Sequence, residues 1–197
     1  MFHVKHEDRT PGPELSRGVE ERLRAYERLL RDRAIPTGLI AAADGMRLWE
    51  RHILDSVRGA AVMPDGPGRV ADLGSGAGLP GIPIAIARPG LQMTLIESRQ
   101  RRAAFLELVV ERLDLPDLRV LPVPLQTVTE RFDVCLARAL APPAEVWGLA
   151  EPLLTEAGCV LCWVGARAPR WPATARVELY GPGDLANSGP IAIMTRQ

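Results

Sequence analysis

The sequence predicts a doubly wound α/β fold with a mostly parallel sheet. Three observations carry that expectation: short continuous apolar runs, helical patterns alternating with them, and a glycine turn that joins the first run to a helix. The runs at 69–73, 93–97, 118–122, 132–137 and 159–164 lack the polar alternation of a half-exposed strand, as befits parallel strands covered on both faces. Helices are expected from Leu79, over 100–113 and over 143–154. Residues 166–173 are too few and too rich in proline and arginine for a crossover helix, so 175–180 and 191–195 read as a terminal antiparallel hairpin.

Ahead of the sheet, Leu15, Val19, Leu23, Tyr26 and Leu30 recur at helical spacing, which predicts an amphipathic helix over 14–34 ended by Pro36 and Gly38. A second helical pattern over 46–62 carries Leu48, Trp49, Ile53, Val57 and Ala60, with Asp44 as its cap. The turn cluster at 63–68 then divides the chain. Residues 1–63 are expected to form a helical segment packed on a main domain spanning 64–197.

The 197 residues, 47% hydrophobic and 24% charged, suffice for one globular domain with a small appendage. Net charge is zero and Lys5 is the only lysine, so a nucleic-acid partner requires a local arginine patch rather than a basic domain. Residues 1–6 lead into charged positions with no apolar signal core, and no run reaches membrane-spanning length. A soluble, cytoplasmic, monomeric protein that does not engage a membrane is expected. Cys135, Cys159 and Cys162 lie in apolar runs and read as buried thiols. Cys159 and Cys162 sit three apart in one strand and point to opposite faces, which argues against a shared metal; none is assigned.

The glycine turn decides the ligand class. Gly76-Ala77-Gly78-Leu79-Pro80-Gly81 fits the dinucleotide fingerprint GxGxxG. Asp72 precedes Gly74 by two residues, so the wider pattern is DxGxGxG. A carboxylate there opposes an anionic pyrophosphate and suits S-adenosylmethionine, which carries a sulfonium and an ammonium and no phosphate. Gly74, Gly76, Gly78 and Leu79 shape this turn, and Glu97 ends the second strand where an acid meets the ribose hydroxyls. The same glutamate also fits the start of the following helix, where a carboxylate complements the dipole.

Trp49-Glu50-Arg51-His52-Ile53-Leu54-Asp55-Ser56, the turn from Asp72 through Pro83, Leu95-Ile96-Glu97-Ser98 with Ala104-Phe105-Leu106, and Ala137-Arg138-Ala139 occur in that order. With these motifs the chain resembles the RsmG (GidB) type of bacterial small-subunit ribosomal RNA methyltransferase, from about residue 15 to about residue 165. The resemblance implies a class I S-adenosylmethionine-dependent methyltransferase fold. It also implies methyl transfer to N7 of a guanine in the decoding-region loop of 16S ribosomal RNA, free or within the 30S subunit. By position, Leu125 and Gln126 fall where the family places its adenine contacts, and Arg138 lies at the crevice of cofactor and substrate. The chain departs from the family pattern at Gly38-Leu39-Ile40, at Gln126 and at Val164-Gly165, which bears on RNA affinity and activity.

Guanine N7 already presents a lone pair, so no catalytic base is assigned. Arg138 is the first candidate to orient the guanine through O6 or a phosphate; the competing reading is an ion pair that orders the loop after the fourth strand. His52 and Asp55, three apart on a helix, together with Arg51, either support the substrate or anchor the N-terminal segment. Arg99, Arg101, Arg102, Arg167 and Arg170 are candidates for an RNA-facing rim. The rival functions are a methyltransferase of this fold acting on a small molecule or protein, a non-catalytic S-adenosylmethionine-binding homologue, and a nicotinamide-dependent oxidoreductase.

Overall fold

Val70, Ala71 and Leu73 are fully buried because β1 (Arg69–Leu73) lies inside a seven-stranded sheet. The computed structural model describes residues 15–66, 68–165, 169–182, 185 and 188–197. Its sheet continues through β2 (Gln92–Ile96), β3 (Leu118–Leu121), β4 (Phe132–Arg138), β5 (Leu154–Trp163), β6 (Ala175–Tyr180) and β7 (Ile191–Arg196), in the spatial order β3-β2-β1-β4-β5-β7-β6. The first five strands are parallel, and β7 runs antiparallel between β5 and β6. The chain moves outward from β1 to β3, then returns to place β4 on the other side of β1. A crevice therefore opens at the carboxyl ends of β1 and β4, the switch point at which such sheets bind ligands.

The expected fold class is the observed one, with differences at element ends. The first helix, α1 (Arg17–Leu29), starts after Ser16, whose hydroxyl accepts the Val19 N–H at 3.4 Å, and it widens into π-type turns at Leu30–Ala34. Glu14, the expected start, lies outside the described residues. The second helix is composite: a 3₁₀ stretch Ala42–Arg47, π-type turns Leu48–Leu54, then α2 (Asp55–Val62). Asp44 is not its cap. The helix begins at Ala42, four residues before the expected start, with Ala41 at the N-cap, and the Asp44 carboxylate turns toward Arg47, Arg51 and His52 instead. The helix expected from Leu79 begins as α3 (Gly81–Ala87), α4 spans Gln100–Arg112, and α5 spans Pro143–Ala150. After α5, Glu151–Leu153 form a 3₁₀ turn at Pro152, which has no N–H to continue an α-helix. β5 then starts at Leu154, earlier than expected, because Glu156 and Ala157 interrupt the apolar run that marks its core.

Two apolar clusters cover the sheet's faces. On one, Leu23, Tyr26, Leu48 and Ile53 of the N-terminal helices pack with Ile82 and Ile84 of α3 and Phe105 and Leu106 of α4. On the other, Val146, Trp147 and Ala150 of α5 pack with Phe132, Val160 and Met194. Cys159 belongs to the first cluster and Cys162 to the second, so the two thiols lie on opposite faces; burial pushes each up to about 11. Among the described residues, no helix is long and apolar enough to cross a membrane.

Contact between α2 and β5 is close. A Cβ on Gly59 would stand 2.5 Å from Trp163 Cη2 and 2.9 Å from Ile84 Cδ1, while the Trp163 indole N–H donates to the Asp55 carbonyl at 3.0 Å. Gly59→Val therefore overpacks a fixed ring, and a loss of about 1–3 kcal/mol is expected in urea unfolding; an unchanged midpoint would contradict this packing.

Candidate functional site

Asp72 is the last-but-one residue of β1 and is 1% exposed. Its Oδ2 accepts the Gly81 N–H at 3.0 Å, at the first turn of α3. A Cβ on Gly81 would fall 2.7 Å from that oxygen and 2.8 Å from Leu95 Cδ2, so glycine is what allows the approach. Oδ1 has no partner among the described residues. Burial pushes the carboxyl up to about 7, against the pull of the Gly81 N–H.

The turn ahead of α3 is held from inside. Ser75 N–H donates to the Ile96 carbonyl (3.0 Å), Gly76 N–H to Glu97 Oε2 (3.1 Å), and Gly78 and Leu79 N–H to the Ser75 carbonyl (2.7 and 3.2 Å). Gly78 takes φ of +95°, and a Cβ there would meet Ile82 Cδ1 at 2.3 Å. From α1, the buried Tyr26 hydroxyl donates to the Ala77 carbonyl at 2.7 Å. Internal carboxylates and carbonyls thus occupy the N–H groups of Ser75, Gly76, Gly78, Leu79 and Gly81. An anionic pyrophosphate at this helix start would meet the Asp72 carboxylate already bound there.

Two clefts open on the carboxyl edge and share Gly74, Arg102 and Ala139. The first, about 410 Å³, brings together Gly74, Glu97, Leu125 and Gln126, with Arg99 and Leu140 on its wall. Glu97 is 4% exposed; Oε1 accepts the Arg99 N–H at 2.9 Å, and Arg102 stands 3.5 Å from Oε2. The second, about 400 Å³, joins Gly76 and Leu79 of the turn to Asp44, Arg51, His52 and Arg138. Asp72 and Gly78 line neither cleft and support the turn from behind. Ala139 connects the clefts with φ of +53°, a conformation unusual for a residue with a Cβ.

Arg138 sits in a bonded frame. Its Nη2 donates to the Arg51 carbonyl (2.6 Å) and pairs with Asp55 (3.0 Å), and its Nη1 contacts the His52 carbonyl and Ser56 hydroxyl (3.3 Å each). Asp55 also binds Arg58 Nη1 at 2.6 Å, and the buried Arg58 reaches the carbonyls of Gly181 and Gly189. The ion pair given above as the competing reading of Arg138 is therefore present, and the guanidinium locks the 51–56 segment to the end of β4. Asp55 faces these arginines, whereas His52 faces the second cleft, because the π-type turns break the simple three-residue helical spacing. His52 Nε2 lies 3.7 Å from Asp44, and burial is the main cause that lowers the His52 pKa.

Arg101 is exposed near the start of α4, and the Arg170 carbonyl accepts the Ala144 N–H at 3.2 Å at the start of α5; neither lines either cleft. Arg167 lies outside the described residues. Of the departures, Leu39 and Ile40 enter the second cleft and Gln126 the first, while Val164 is buried, its N–H donating to the Pro190 carbonyl at 2.9 Å. Sequence reasoning misses Leu39, Ile40, Asp44 and Leu140 as cleft residues; Asp44 bears a signal, its three-residue spacing to Arg47, that a cap explains equally well.

The family model described as GidB, rRNA small subunit methyltransferase G, matches residues 19–171. The chain is 42% identical over 156 residues to ribosomal RNA small subunit methyltransferase G of Thermobifida fusca (strain YX), covering 78% of this chain and 65% of that protein. To the protein of the same name from Corynebacterium diphtheriae it is 39% identical over 172 residues, covering 84% and 76%. Among solved structures, a point mutant of MtNAS in complex with S-adenosylmethionine superposes with a TM-score of 0.65 at 16% identity, covering 91% of this chain and 77% of that one. The mitomycin 7-O-methyltransferase MmcR gives 0.58 at 16%, covering 91% and 68%. These structural likenesses establish the fold.

Asp72 makes stability depend on pH. A folded-state pKa raised from 3.8 to about 7 means that its contribution is full below the ordinary carboxylate range and declines as pH rises to about 7. Between pH of about 4 and about 7, wild type should lose on the order of a few kcal/mol relative to Asp72→Asn in urea unfolding; parallel pH profiles would contradict the buried carboxyl.

Proposed function

The chain belongs to the GidB family of ribosomal RNA small subunit methyltransferases, and from that premise we propose that it transfers the methyl group of S-adenosylmethionine to N7 of a guanine in the decoding-region loop of 16S ribosomal RNA. It spans 65% of the Thermobifida fusca relative, so activity, substrate and partner are part of this proposal. The observation that carries it is the pair of joined clefts at the switch point, one ending on Glu97 and the other on the 39–52 wall.

The residues present fit S-adenosylmethionine. Glu97 offers its carboxylate to the ribose hydroxyls, and Leu125 with Gln126 bounds the adenine, whose amine the Gln126 carbonyl accepts. Gly74, Gly76 and Leu79 set the edge that passes from the first cleft to the second, with Gly78 and Asp72 fixing that edge from behind. The carboxylate behind the turn favours a cationic ligand over a pyrophosphate. When bound, S-adenosylmethionine supplies an electrophilic methyl carbon.

The second cleft takes the guanine. N7 attacks with a lone pair that carries no proton, so the protein contributes position and water exclusion rather than a base. Arg138 fixes the 51–56 wall and thereby orients the base, with His52 and Arg51 beside it. Arg99, Arg101 and Arg102 meet phosphates of the folded RNA loop, a local patch on a chain of zero net charge. In this reading the protein acts as a monomer, on 16S ribosomal RNA or the 30S subunit in the cytoplasm.

Purified protein with labelled S-adenosylmethionine should label 16S ribosomal RNA in 30S subunits from a strain lacking this methylation. Cofactor binding without label in the RNA would contradict the enzyme and favour a non-catalytic homologue. Glu97→Ala should weaken S-adenosylmethionine binding by about 10–100-fold in calorimetry, the loss of hydrogen bonds to a charged acceptor; unchanged affinity would remove Glu97 from the site.

A further inference from the structure

We propose that Asp44 reads the Watson–Crick edge of the target guanine, accepting its N1–H and N2–H, and strengthens its hold as the methyl group is transferred. The inference rests on the methyltransferase reading above and assigns the residue that gives that site its preference for guanine.

Asp44 lines the second cleft together with the glycine turn. Glu97 lies in the first cleft, Asp55 is bound by Arg58 and Arg138, and Asp72 accepts the Gly81 N–H behind the turn; neither Asp55 nor Asp72 lines the second cleft. Around Asp44 stand Arg51 at 3.4 Å, His52 at 3.7 Å and Arg47 at 3.9 Å. The Arg51 and Arg47 side chains are 53% and 58% exposed, so these contacts hold the carboxylate only weakly. Burial lowers the pKa of His52, which weakens its hold on the carboxylate. The carboxylate thus keeps lone pairs for a ligand in the cleft.

Guanine is the base whose Watson–Crick edge presents two adjacent donors, N1–H and N2–H, matching the two oxygens of a carboxylate. Adenine and cytosine place a ring acceptor at that edge, and uracil flanks its single N–H with carbonyls. N7 lies on the opposite side of the purine, so a guanine held by Asp44 keeps N7 free. Leu39 and Ile40, in the same cleft, add apolar surface for the ring.

In the transfer, the N7 lone pair forms the new bond to the methyl carbon while the carbon–sulfur pair withdraws onto sulfur, and no proton leaves. Positive charge moves onto the purine and makes N1–H a stronger donor. Asp44 therefore binds the transition state more tightly than the ground state, which raises kcat.

The test uses 30S subunits reconstituted with 16S ribosomal RNA carrying guanine or inosine at the target; inosine lacks the N2 amine. Wild type should methylate inosine about 10-fold more slowly than guanine, the value of one hydrogen bond to a charged group. Asp44→Ala should be slowed about 100-fold on guanine and show no further loss on inosine, with Asp44→Asn intermediate and cofactor affinity in calorimetry kept in both. Undiminished discrimination in Asp44→Ala, full activity of that variant, or a loss of cofactor affinity as large as its loss of rate would each overturn the assignment while leaving the methyltransferase reading in place. No transfer by wild type to either RNA would overturn both.

Discussion

The hydrogen bond from the Gly81 N–H to the buried Asp72 carboxylate is the constraint on which the cleft depends. It ties the end of β1 to the start of α3 across the nine-residue step between them, and the glycine turn is what spans that step. Asp72 is costly to keep ionised, with one oxygen unpartnered among the described residues and a pKa raised to about 7 by burial. That cost makes chemical sense if a cationic ligand comes to the other side of the turn, because its charge favours the ionised form. A dinucleotide would gain nothing there. The same residue thus shapes the turn mechanically, and the proposed selection of a cationic ligand rests on its charge.

The second constraint is the buried chain of charges from Arg138 through Asp55 to Arg58. It joins the end of β4 to the N-terminal helices and to the segment between β6 and β7. The N-terminal helices are thereby part of the site, since the 39–52 wall completes the second cleft. Tyr26 adds a link from α1 to the turn through the Ala77 carbonyl. A ligand that settles against the turn accordingly touches a surface braced from both the sheet and the N-terminal helices.

The core strands are legible in the residues because burial on both faces leaves continuous apolar runs, and the terminal hairpin because its connection has no room for a crossover helix. β5 reads short where Glu156 and Ala157 reach solvent at its entry. The placement of the glycine turn after β1 and of Glu97 at the end of β2 is legible because the residue types follow from conformation and strand position. Arg138 is harder: its partners lie more than 80 residues away in sequence, and spacing alone cannot choose between an ion pair and a substrate contact. Asp44 misleads because a carboxylate near a helix start fits a cap equally well, and only the position of Ala41 as the actual cap frees it for another role. The π-type turns, which decide where His52 points, leave no periodic trace in the residues.

The central claim is that this turn binds a cationic methyl donor and rejects an anionic dinucleotide, and calorimetric titration at a pH of about 8, where Asp72 is ionised, tests it directly. One saturable site for S-adenosylmethionine and no measurable heat with NAD are the predicted result. Tighter binding of NAD than of S-adenosylmethionine would contradict it.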